Sequence, residues 1–292
     1  MTFSKSLNEL LATSKLDSTA LENIIRIAIA EDLNGASDVT SVATIPEEQT
    51  SVAEFWSRKT GVIAGIPVVC AVLEICGITD YEIKKNDGES IPANSLLLIA
   101  KGNTQALLLA ERSALNFFGR LSGIATLTKS WVDAVADTKA AIRDTRKTTP
   151  GLRELEKYAV RMGGGENHRF SLSDAALIKD NHVLAAGGVA NAFNLVKEKF
   201  PNLPLEVEVD SLQQLREVVD AGADLVLLDN MSIEECRAAV EIVAGRAKLE
   251  ASGGLILNNA HAYAKTGVDY LAVGALTHSA PVLDIGLDLR ME

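Results

Sequence analysis

The chain has 292 residues, 47% hydrophobic and 23% charged, so it can bury the core of one large domain or of two ordinary ones. Its formal net charge of −11 argues against a nucleic-acid-binding protein, because such proteins usually carry a basic face. Cys70, Cys76 and Cys236 fit neither a metal site nor a disulfide framework. Residues 1–16 lack a basic region followed by an apolar run, so we expect no signal peptide. No apolar run reaches membrane-spanning length, so we expect a protein of the reducing cytoplasm that binds no membrane.

The first third of the sequence predicts a mixed unit of helices and strands. A capping-box pattern beginning at Thr19 predicts a helix toward Glu31, and Pro67 predicts the start of another helix that ends at Cys76. The predicted strands cover residues 51–58, 61–64, 81–85 and 96–101. A long apolar helix is predicted next, over residues 104–136. Gly119 and Gly123 are the positions at which this helix could break, because glycine is a weak helix former.

From Lys139 onward, short apolar strands alternate with amphipathic helices. Strands are predicted at residues 140–143, 176–179, 205–209, 225–229, 248–251 and 270–273. Helices that fit between them include residues 212–220, 233–243 and 258–265. This alternation is typical of parallel strands with crossover helices, so the sequence predicts an α/β fold. About six such units could close into a barrel smaller than the eight-stranded kind, and an open doubly wound sheet is the alternative.

Charged or glycine-rich positions follow the carboxyl end of each predicted strand. In chain order they are Arg146 and Lys147, Lys179, Glu208, Asp229, Ser252 with Gly253 and Gly254, and Gly274 with Ala275. In parallel α/β folds this rim is where functional sites are built. Solubility alone does not account for such a repeated pattern, so we expect these residues to meet at one site.

The stretch from Asp144 to His182 gathers cations in an otherwise acidic chain. It contains the segments DTRKT (144–148), GGGENHR (163–169) and IKDNH (178–182). Its basic residues include Arg146, Lys147, Arg161, His168, Arg169, Lys179 and His182. Crowded cations cost free energy unless an anion shares the space. The stretch therefore predicts a pocket for a small, multiply charged anion that carries phosphates, carboxylates or both.

Two acids are predicted to face inward from one strand. Glu206 and Glu208 alternate with apolar neighbours, which places both carboxylates on the same strand face. Such acids need a metal, a ligand hydroxyl or a counter-cation, and structural pairing with Arg or Lys is the simplest alternative. Asp229 closes an apolar strand at the rim. Glu208 and Asp229, together with substrate phosphates, fit a hard Mg²⁺ ion, whereas no His or Cys spacing predicts a zinc-type site.

The glycine-containing segments 252–254 and 274–275 are candidate phosphate cradles, because glycine lets backbone N–H groups approach phosphate oxygens. A glycine pair alone is a weak signal, since αβ loops use glycine routinely. Here one such segment follows each of the last two predicted strands, which is where barrels bind phosphate. His168 and His182 are candidates for contact with an anion, and we assign no role to His261 or His278.

These motifs resemble those of the quinolinate phosphoribosyltransferases, also called carboxylating nicotinate-nucleotide pyrophosphorylases. Besides the three basic segments, the matching stretches are EDLNGASDVTS (31–41), AERSALNFFGRLSGIATLT (110–128), EVEVD (206–210), LLDN (227–230), EASGGL (250–255) and GVDYLAVGALTHS (267–279). They occur in the order of the family over nearly the whole chain, and the stretch through DTRKT, GGGENHR and IKDNH is highly specific.

The resemblance implies an N-terminal α/β sandwich domain over residues 1–115. It implies an incomplete α/β barrel of the type II phosphoribosyltransferase kind over residues 116–279, with the C-terminal tail 280–292 packing on the first domain. It also implies a homodimer or higher homo-oligomer whose shared active site lies at the subunit boundary, where Arg112 would reach over from the partner subunit. The intrachain alternative is a salt bridge from Arg112 to Glu111 or to another acid.

The implied reaction joins quinolinate to phosphoribosyl pyrophosphate in NAD biosynthesis and gives nicotinate mononucleotide, CO₂ and pyrophosphate with Mg²⁺. By the family's motifs, the quinolinate carboxylates would be held by Arg146, His168, Arg169 and Lys179. The phosphate would be held by Ser252, Gly253, Gly254, Gly274 and Ala275. Thr145 and Lys147 would also contact substrate, and Glu208 and Asp229 would hold the ribose hydroxyls and the metal. Lys179, Glu208 and Asp229 are the predicted catalytic residues.

Three other functions stay open from the residues alone. One is a transferase without decarboxylation that uses nicotinate, or a paralogous transferase for another aromatic acid. The second is an aldolase in which Lys179 forms a Schiff base, because its cationic neighbours could lower the pKa of the amine. The third is an anion-binding protein without catalysis, although inward acids beside phosphate loops would then have no purpose.

Overall fold

The structure is a computed structural model that describes residues 3–291. It divides into two compact units. The first contains the chain up to Leu127, the segment Thr149–Gly164 and the chain from Ser279 onward; the second contains Thr128–Thr148 and Gly165–His278. The boundary predicted between residues 115 and 116 lies inside one long helix, and the segment Thr149–Gly164 groups with the first unit.

The first unit is built on an antiparallel sheet. Its helices are α1 (Lys5–Ser14), α2 (Ser18–Leu33), α3 (Val39–Thr44), α4 (Ile66–Ile75), α5 (Thr104–Ala134, as far as Leu127) and α6 (Arg153–Met162). Its strands are β1 (Thr50–Ser57), β2 (Gly61–Val62), β3 (Asp80–Ile83), β4 (Ser90–Ile91), β5 (Ser95–Asn103) and β12 (Ile285–Met291). The main sheet has the order β12-β1-β5-β3, and β2 pairs with β4. The tail of the chain thus adds an edge strand to the first unit.

Two details of the first unit differ from the sequence prediction. Helix α2 is capped by Asp17, whose Oδ1 accepts the backbone N–H of Ala20 at 2.7 Å, so the capping box does not begin at Thr19. Helix α5 is unbroken at its glycines. A Cβ on Gly123 would lie 2.0 Å from the carbonyl oxygen of Pro281, so glycine here lets the tail lie directly against the helix.

The second unit is a parallel α/β sheet. Its strands are β6 (Ala141–Arg143), β7 (Ala176–Ile178), β8 (Leu205–Val209), β9 (Leu225–Asp229), β10 (Lys248–Ser252) and β11 (Tyr270–Ala272). Its helices, besides the end of α5, are α7 (Asp180–Ala186), α8 (Val189–Lys199), α9 (Leu212–Asp220), α10 (Ile233–Val243), α11 (Leu257–Ala264) and α12 (Ala275–His278). The fold class predicted from the sequence is confirmed.

The strand order distinguishes a barrel from a doubly wound sheet. The order is β6-β11-β10-β9-β8-β7, so each strand from β7 to β11 lies beside the next one in the sequence, and the first strand pairs with the last. A doubly wound sheet would instead reverse direction at a switch point. Within residues 3–291 no ladder joins β6 to β7, and Glu166 forms an isolated bridge with Arg143 at the edge of β6. The sheet is therefore an incomplete barrel of six strands.

The alternation of side chains along a strand directs the acids of β8 to the inner face of the barrel. On β8, Val207 and Val209 are buried against the helix layer, whereas Glu206 and Glu208 point to the opposite face. Glu208 is in register with Leu227 on β9, which is in register with Glu250 on β10. The prediction that both acids of β8 share one face is confirmed.

No helix in the described chain is long and apolar enough to cross a membrane.

Candidate active site

A cavity of about 350 Å³ opens among the carboxyl ends of the barrel strands. It is lined by Thr145, Arg146, Lys147, His168, Arg169, Leu177, Lys179, Glu208, Leu227, Asp229, Glu250, Ser252 and Ala272. Most of the site residues expected from the sequence therefore converge on one place. Glu250, Leu177, Leu227 and Ala272 also line it and were not predicted.

Asp144 joins the two basic segments of the site. It is fully buried, and its carboxylate accepts the backbone N–H of His168 at 2.8 Å and the side-chain amide of Asn167 at 2.5 Å. Its own N–H donates to the carbonyl of Glu166 at 3.2 Å. The DTRKT segment after β6 is thus fastened to the end of the GGGENHR segment. This fastening brings Arg146 and Lys147 to the same cavity as His168 and Arg169.

Two guanidinium groups influence each other in this wall. The pKa of Arg169 is lowered, first because the side chain is partly removed from water and next because the charge of Arg146 is close. Nη1 of Arg169 donates to the carbonyl of Ala175 at 3.0 Å, which fixes the side chain. An anion placed between two fixed guanidinium groups would relieve their repulsion and can accept paired hydrogen bonds from each.

Lys179 and Glu208 form an ion pair at the rim. The Nζ of Lys179 lies 2.5 Å from Oε2 of Glu208, and the lysine side chain is 46% exposed whereas the glutamate side chain is 13% exposed. The backbone N–H of Lys179 donates to Nδ1 of His182 at 3.0 Å. His182 is thus engaged at the start of α7 and does not line the cavity, which corrects its candidacy for contact with the anion.

Below Glu208, the inner face of the barrel carries a second group of charged residues. Nε2 of His168 lies 2.5 Å from Oε2 of Glu206 and 3.7 Å from Oε1 of Glu250. Arg143 donates from Nη1 to Oε2 of Glu250. Burial, followed by the charge of Glu206, raises the pKa of Glu250 to about 7, against the opposing effect of Arg143. The acids of the inner face therefore have basic partners from the protein itself, Arg143 for Glu250 and His168 for Glu206.

The loop after β10 is shaped by close packing. Gly253 and Gly254 have φ values of +87° and +63°, which favour glycine. A Cβ on Gly253 would lie 2.1 Å from Oδ1 of Asn230, so this position has no room for a side chain. Asn230 in turn donates from Nδ2 to Asp229 at 2.9 Å. Ser232, not Asn230, caps α10 by accepting the N–H of Glu235 at 3.2 Å.

The loop after β11 lies beside Lys147. A Cβ on Gly274 would lie 3.1 Å from Cδ of Lys147 and 3.3 Å from Nε2 of His278. The hydroxyl of Thr277 donates to the carbonyl of Lys147 at 2.7 Å, so the short helix that begins at Ala275 fixes the Lys147 backbone. His278 therefore lies near the site, although no pattern in the sequence assigned it a role.

Two basic residues of interest lie in the first unit. Arg161, on α6, donates to the carbonyl of Ser14 at 3.0 Å and lies 5.5 Å from the ring centre of Tyr158. Its inclusion in the anion-binding cluster is therefore wrong. Arg112 lies on α5 with its side chain exposed, and within residues 3–291 it forms no ion pair with Glu111 or with another acid. His261, for which we predicted no role, lies 3.0 Å from Asp137, away from the cavity.

An incomplete parallel barrel that gathers cations, rim carboxylates and glycine loops at one edge defines an α/β enzyme for an anionic, phosphorylated substrate. The chain also matches the family described as quinolinate phosphoribosyl transferase, with the N-terminal domain over residues 38–122 and the C-terminal domain over residues 124–288. The chain belongs to the quinolinate phosphoribosyltransferase family. The predicted enzyme class, a phosphoribosyltransferase, is confirmed.

Individual relatives agree with this assignment over nearly their full length. The carboxylating nicotinate-nucleotide pyrophosphorylase of Mycobacterium leprae is 51% identical over 276 residues, which cover 92% of this chain and 97% of that protein. The nicotinate-nucleotide pyrophosphorylase structure from Francisella tularensis is 38% identical with a TM-score of 0.90, covering 94% of this chain and 98% of that one. NadC from Streptococcus pyogenes is 36% identical, also with a TM-score of 0.90, covering 95% and 99%.

Proposed function

We propose that the chain transfers the phosphoribosyl group of phosphoribosyl pyrophosphate to quinolinate and releases CO₂ and pyrophosphate, giving nicotinate mononucleotide. The observation that carries this proposal is one cavity in which Arg146, Lys147, Arg169 and Lys179 meet Glu208 and Asp229. Quinolinate carries two neighbouring carboxylates and its co-substrate carries several phosphates. Binding both substrates requires more cationic side chains than binding an acid with a single carboxylate would.

The acid end of the substrate fits the wall formed by Arg146, His168, Arg169 and Lys179. Arginine forks bind carboxylates through two parallel hydrogen bonds, so they orient the pyridine ring as well as neutralise it. Lys179, directly after β7, adds a single positive charge on a flexible side chain. With both carboxylates held, the ring nitrogen has a fixed direction of attack, which lowers the entropy cost of the reaction.

The phosphoribosyl end fits the loops after β10 and β11. Ser252 lines the cavity, and the backbone of Gly253, Gly254, Gly274 and Ala275 follows the two strand ends, where N–H groups can bind a phosphate. Lys147 lies beside Gly274 and would face the pyrophosphate. Thr145 supports this turn, because its Oγ1 accepts the N–H of Lys147 at 3.0 Å.

Glu208 and Asp229 would stabilise the positive charge that develops on the sugar as pyrophosphate leaves. The same two carboxylates are hard oxygen ligands in one cavity, so they fit Mg²⁺, with substrate phosphates and water supplying the other ligands. When bound, Mg²⁺ would neutralise charge on the departing pyrophosphate. The ring nitrogen gains a positive charge on forming the bond to the anomeric carbon. That charge stabilises the electron pair left on the adjacent ring carbon when the carboxylate departs as CO₂, and this carbon then takes up a proton.

We also propose that the functional assembly is a homodimer in which Arg112 completes the partner's cavity. Arg112 is exposed on α5 and has no acidic partner within residues 3–291 of its own chain. An exposed arginine on a largely apolar helix is well suited to an anion supplied by a neighbouring molecule.

The decisive experiment is to incubate the purified chain with phosphoribosyl pyrophosphate, Mg²⁺ and quinolinate labelled in the 2-carboxylate. We expect nicotinate mononucleotide and labelled CO₂ in equal amounts. Parallel reactions contain nicotinate in place of quinolinate, or omit Mg²⁺. Turnover of nicotinate but not of quinolinate would favour the transferase without decarboxylation. Borohydride trapping of a substrate adduct on Lys179 would favour the aldolase.

A further inference from the structure

Four ionisable side chains from four segments meet inside the barrel, next to the cavity. Arg143 comes from β6, Glu206 from β8 and Glu250 from β10, and His168 belongs to the GGGENHR segment. His168, Glu206 and Glu250 are 7%, 4% and 0% exposed, respectively. Burying two carboxylates this deeply is costly for the fold, so their presence calls for a reason other than stability.

The two acids are only partly satisfied by hydrogen bonds. In the described chain, Oε1 of Glu206 and Oε1 of Glu250 are buried and accept no hydrogen bond. The oxygens that are engaged both contact basic side chains, since Oε2 of Glu206 contacts Nε2 of His168 and Oε2 of Glu250 accepts from Arg143. The negative charge of Glu206 also favours the charged forms of Arg143 and Arg169. Glu206 thus supplies negative potential close to the cationic wall of the cavity.

A metal site is the competing interpretation. Donor atoms of His168, Glu206 and Glu250 all lie within 4.8 Å of one another, which suits a metal ion. However, the guanidinium of Arg143 already lies on Glu250, and the ring of His168 already contacts Glu206. The geometry is therefore that of a carboxylate that orients a histidine, as in the pairs in which an acid fixes one ring nitrogen.

We propose that Glu206 is a positioning residue: it fixes the imidazole of His168 in the cavity wall, and Glu250, held by Arg143, supports it. This proposal rests on the proposed function, because it assigns His168 to a quinolinate carboxylate. Asp144 accepts the backbone N–H of His168 and Glu206 contacts its ring, so the residue is held at its backbone and at its side chain. Strand β8 thus has two tasks, since Glu208, two residues on, pairs with Lys179 at the rim.

The test is a double-mutant cycle of Glu206→Gln and His168→Ala, with KM measured separately for quinolinate and for phosphoribosyl pyrophosphate. Loss of a charge-assisted hydrogen bond predicts a rise in KM for quinolinate of roughly 10-fold or more in Glu206→Gln. KM for phosphoribosyl pyrophosphate should stay within about 2-fold. In the His168→Ala background, Glu206→Gln should have almost no further effect, because the residue through which it acts is gone. Asp220→Asn, which removes an exposed carboxylate of the same unit, is the matched control.

Two results would overturn the proposal: an unchanged KM for quinolinate in a folded Glu206→Gln variant, or additive effects of the two substitutions. If Glu206→Gln does not fold, Glu206→Asp keeps the charge, shortens the reach, and should give the same selective rise in KM. Failure of the wild-type chain to turn over quinolinate would instead refute the proposed function. In that case, NMR of the His168 ring nitrogens tests whether Glu206 positions the imidazole. Changed chemical shifts in Glu206→Gln support the positioning role, and unchanged chemical shifts exclude it.

Discussion

Lys179 and Glu208 face each other from the ends of neighbouring strands, with 2.5 Å between the Nζ and Oε2 atoms. The proposed reaction gives them opposite tasks, since the lysine binds the acid substrate and the glutamate serves the sugar and the metal. The lysine is about half exposed, and ion pairs open to solvent contribute little to stability. Their proximity is therefore explained better by the reaction than by the fold.

The first prediction follows from this pair. Glu208→Gln and Lys179→Gln should each lower kcat/KM by about 100-fold or more, because each removes a charge from the site. The free energy of unfolding from urea denaturation should change by about 1 kcal/mol or less, because the lysine end of the pair is about half exposed. The exposed pair Arg246–Asp220 is the control, and Arg246→Gln should alter neither quantity appreciably. A variant that unfolds easily but retains full activity would contradict this division of roles.

The second prediction concerns the guanidinium fork of Arg146. Arg146→Lys keeps the charge but removes the paired hydrogen bonds, so it should cost about 2 kcal/mol or more in transition-state stabilisation. The measurement is kcat/KM for quinolinate under steady-state conditions. Arg246→Lys, on the surface of the same unit, is the matched control. An unchanged specificity constant in Arg146→Lys would remove Arg146 from the carboxylate site.

The third prediction separates the two glycines after β10. In Gly253→Ala the new Cβ meets Oδ1 of Asn230 at 2.1 Å, whereas a Cβ on Gly254 has nothing within 4 Å. Both positions have positive φ, so both variants carry backbone strain of about 1 kcal/mol. Only Gly253→Ala must also displace Asn230, and with it the partner of Asp229. We expect a clearly larger rise in KM for phosphoribosyl pyrophosphate in Gly253→Ala, and equal effects would argue against the steric explanation.

The fourth prediction concerns the pH dependence of stability. Burial and then Glu206 raise the pKa of Glu250 to about 7, from an ordinary value of 4.5. Between these values the folded chain binds more protons at this group than the unfolded chain, so its contribution to stability falls as pH rises from about 4.5 to about 7. Glu250→Gln removes the titration. Relative to this variant, the wild type should lose on the order of 1–3 kcal/mol between pH 5 and pH 8 in denaturant unfolding. A constant difference across that range would contradict the prediction.

The fifth prediction tests the origin of Arg112. Arg112→Ala and Asp229→Asn should each be nearly inactive alone. If Arg112 acts on the partner's cavity, each hybrid dimer contains one intact site, and a random mixture should regain about a quarter of the wild-type activity. Subunit exchange is verified by native mass spectrometry. Exchange without any recovery would place Arg112 outside the shared site.

The sequence was most informative where local pattern and tertiary fold agree. The strands 205–209 and 225–229 and the helices 212–220 and 233–243 were predicted with the bounds found in the structure, because their apolar residues follow the strand and helix periods. The sequence also predicted that Arg146, Lys179 and Asp229 would meet, because each follows or ends a parallel strand and such strands share one carboxyl edge.

What the sequence did not predict depends on contacts between distant segments. Arg161 follows the DTRKT segment closely, yet its helix belongs to the first unit. Glu250 was not predicted as a site residue, although it alternates with Ser252 as Glu206 does with Glu208. A single acid within an apolar strand does not indicate which residues it will meet across the barrel. His278 offered no pattern, and its position is shown by tertiary contacts: its Nε2 would lie 3.3 Å from a Cβ on Gly274, and neighbouring Thr277 bonds to Lys147.

The pairing of the first barrel strand with the last has a consequence for biosynthesis. Among residues 3–291, β6 has one partner strand, β11, which is about 130 residues later in the chain. A nascent polypeptide that still lacks Tyr270–Ala272 cannot pair β6 with its partner strand. Arg146 and Lys147 follow β6 closely, so their positions depend on that pairing. The nascent chain should therefore acquire affinity for anions only after Tyr270–Ala272 has been synthesised and has emerged from the ribosome.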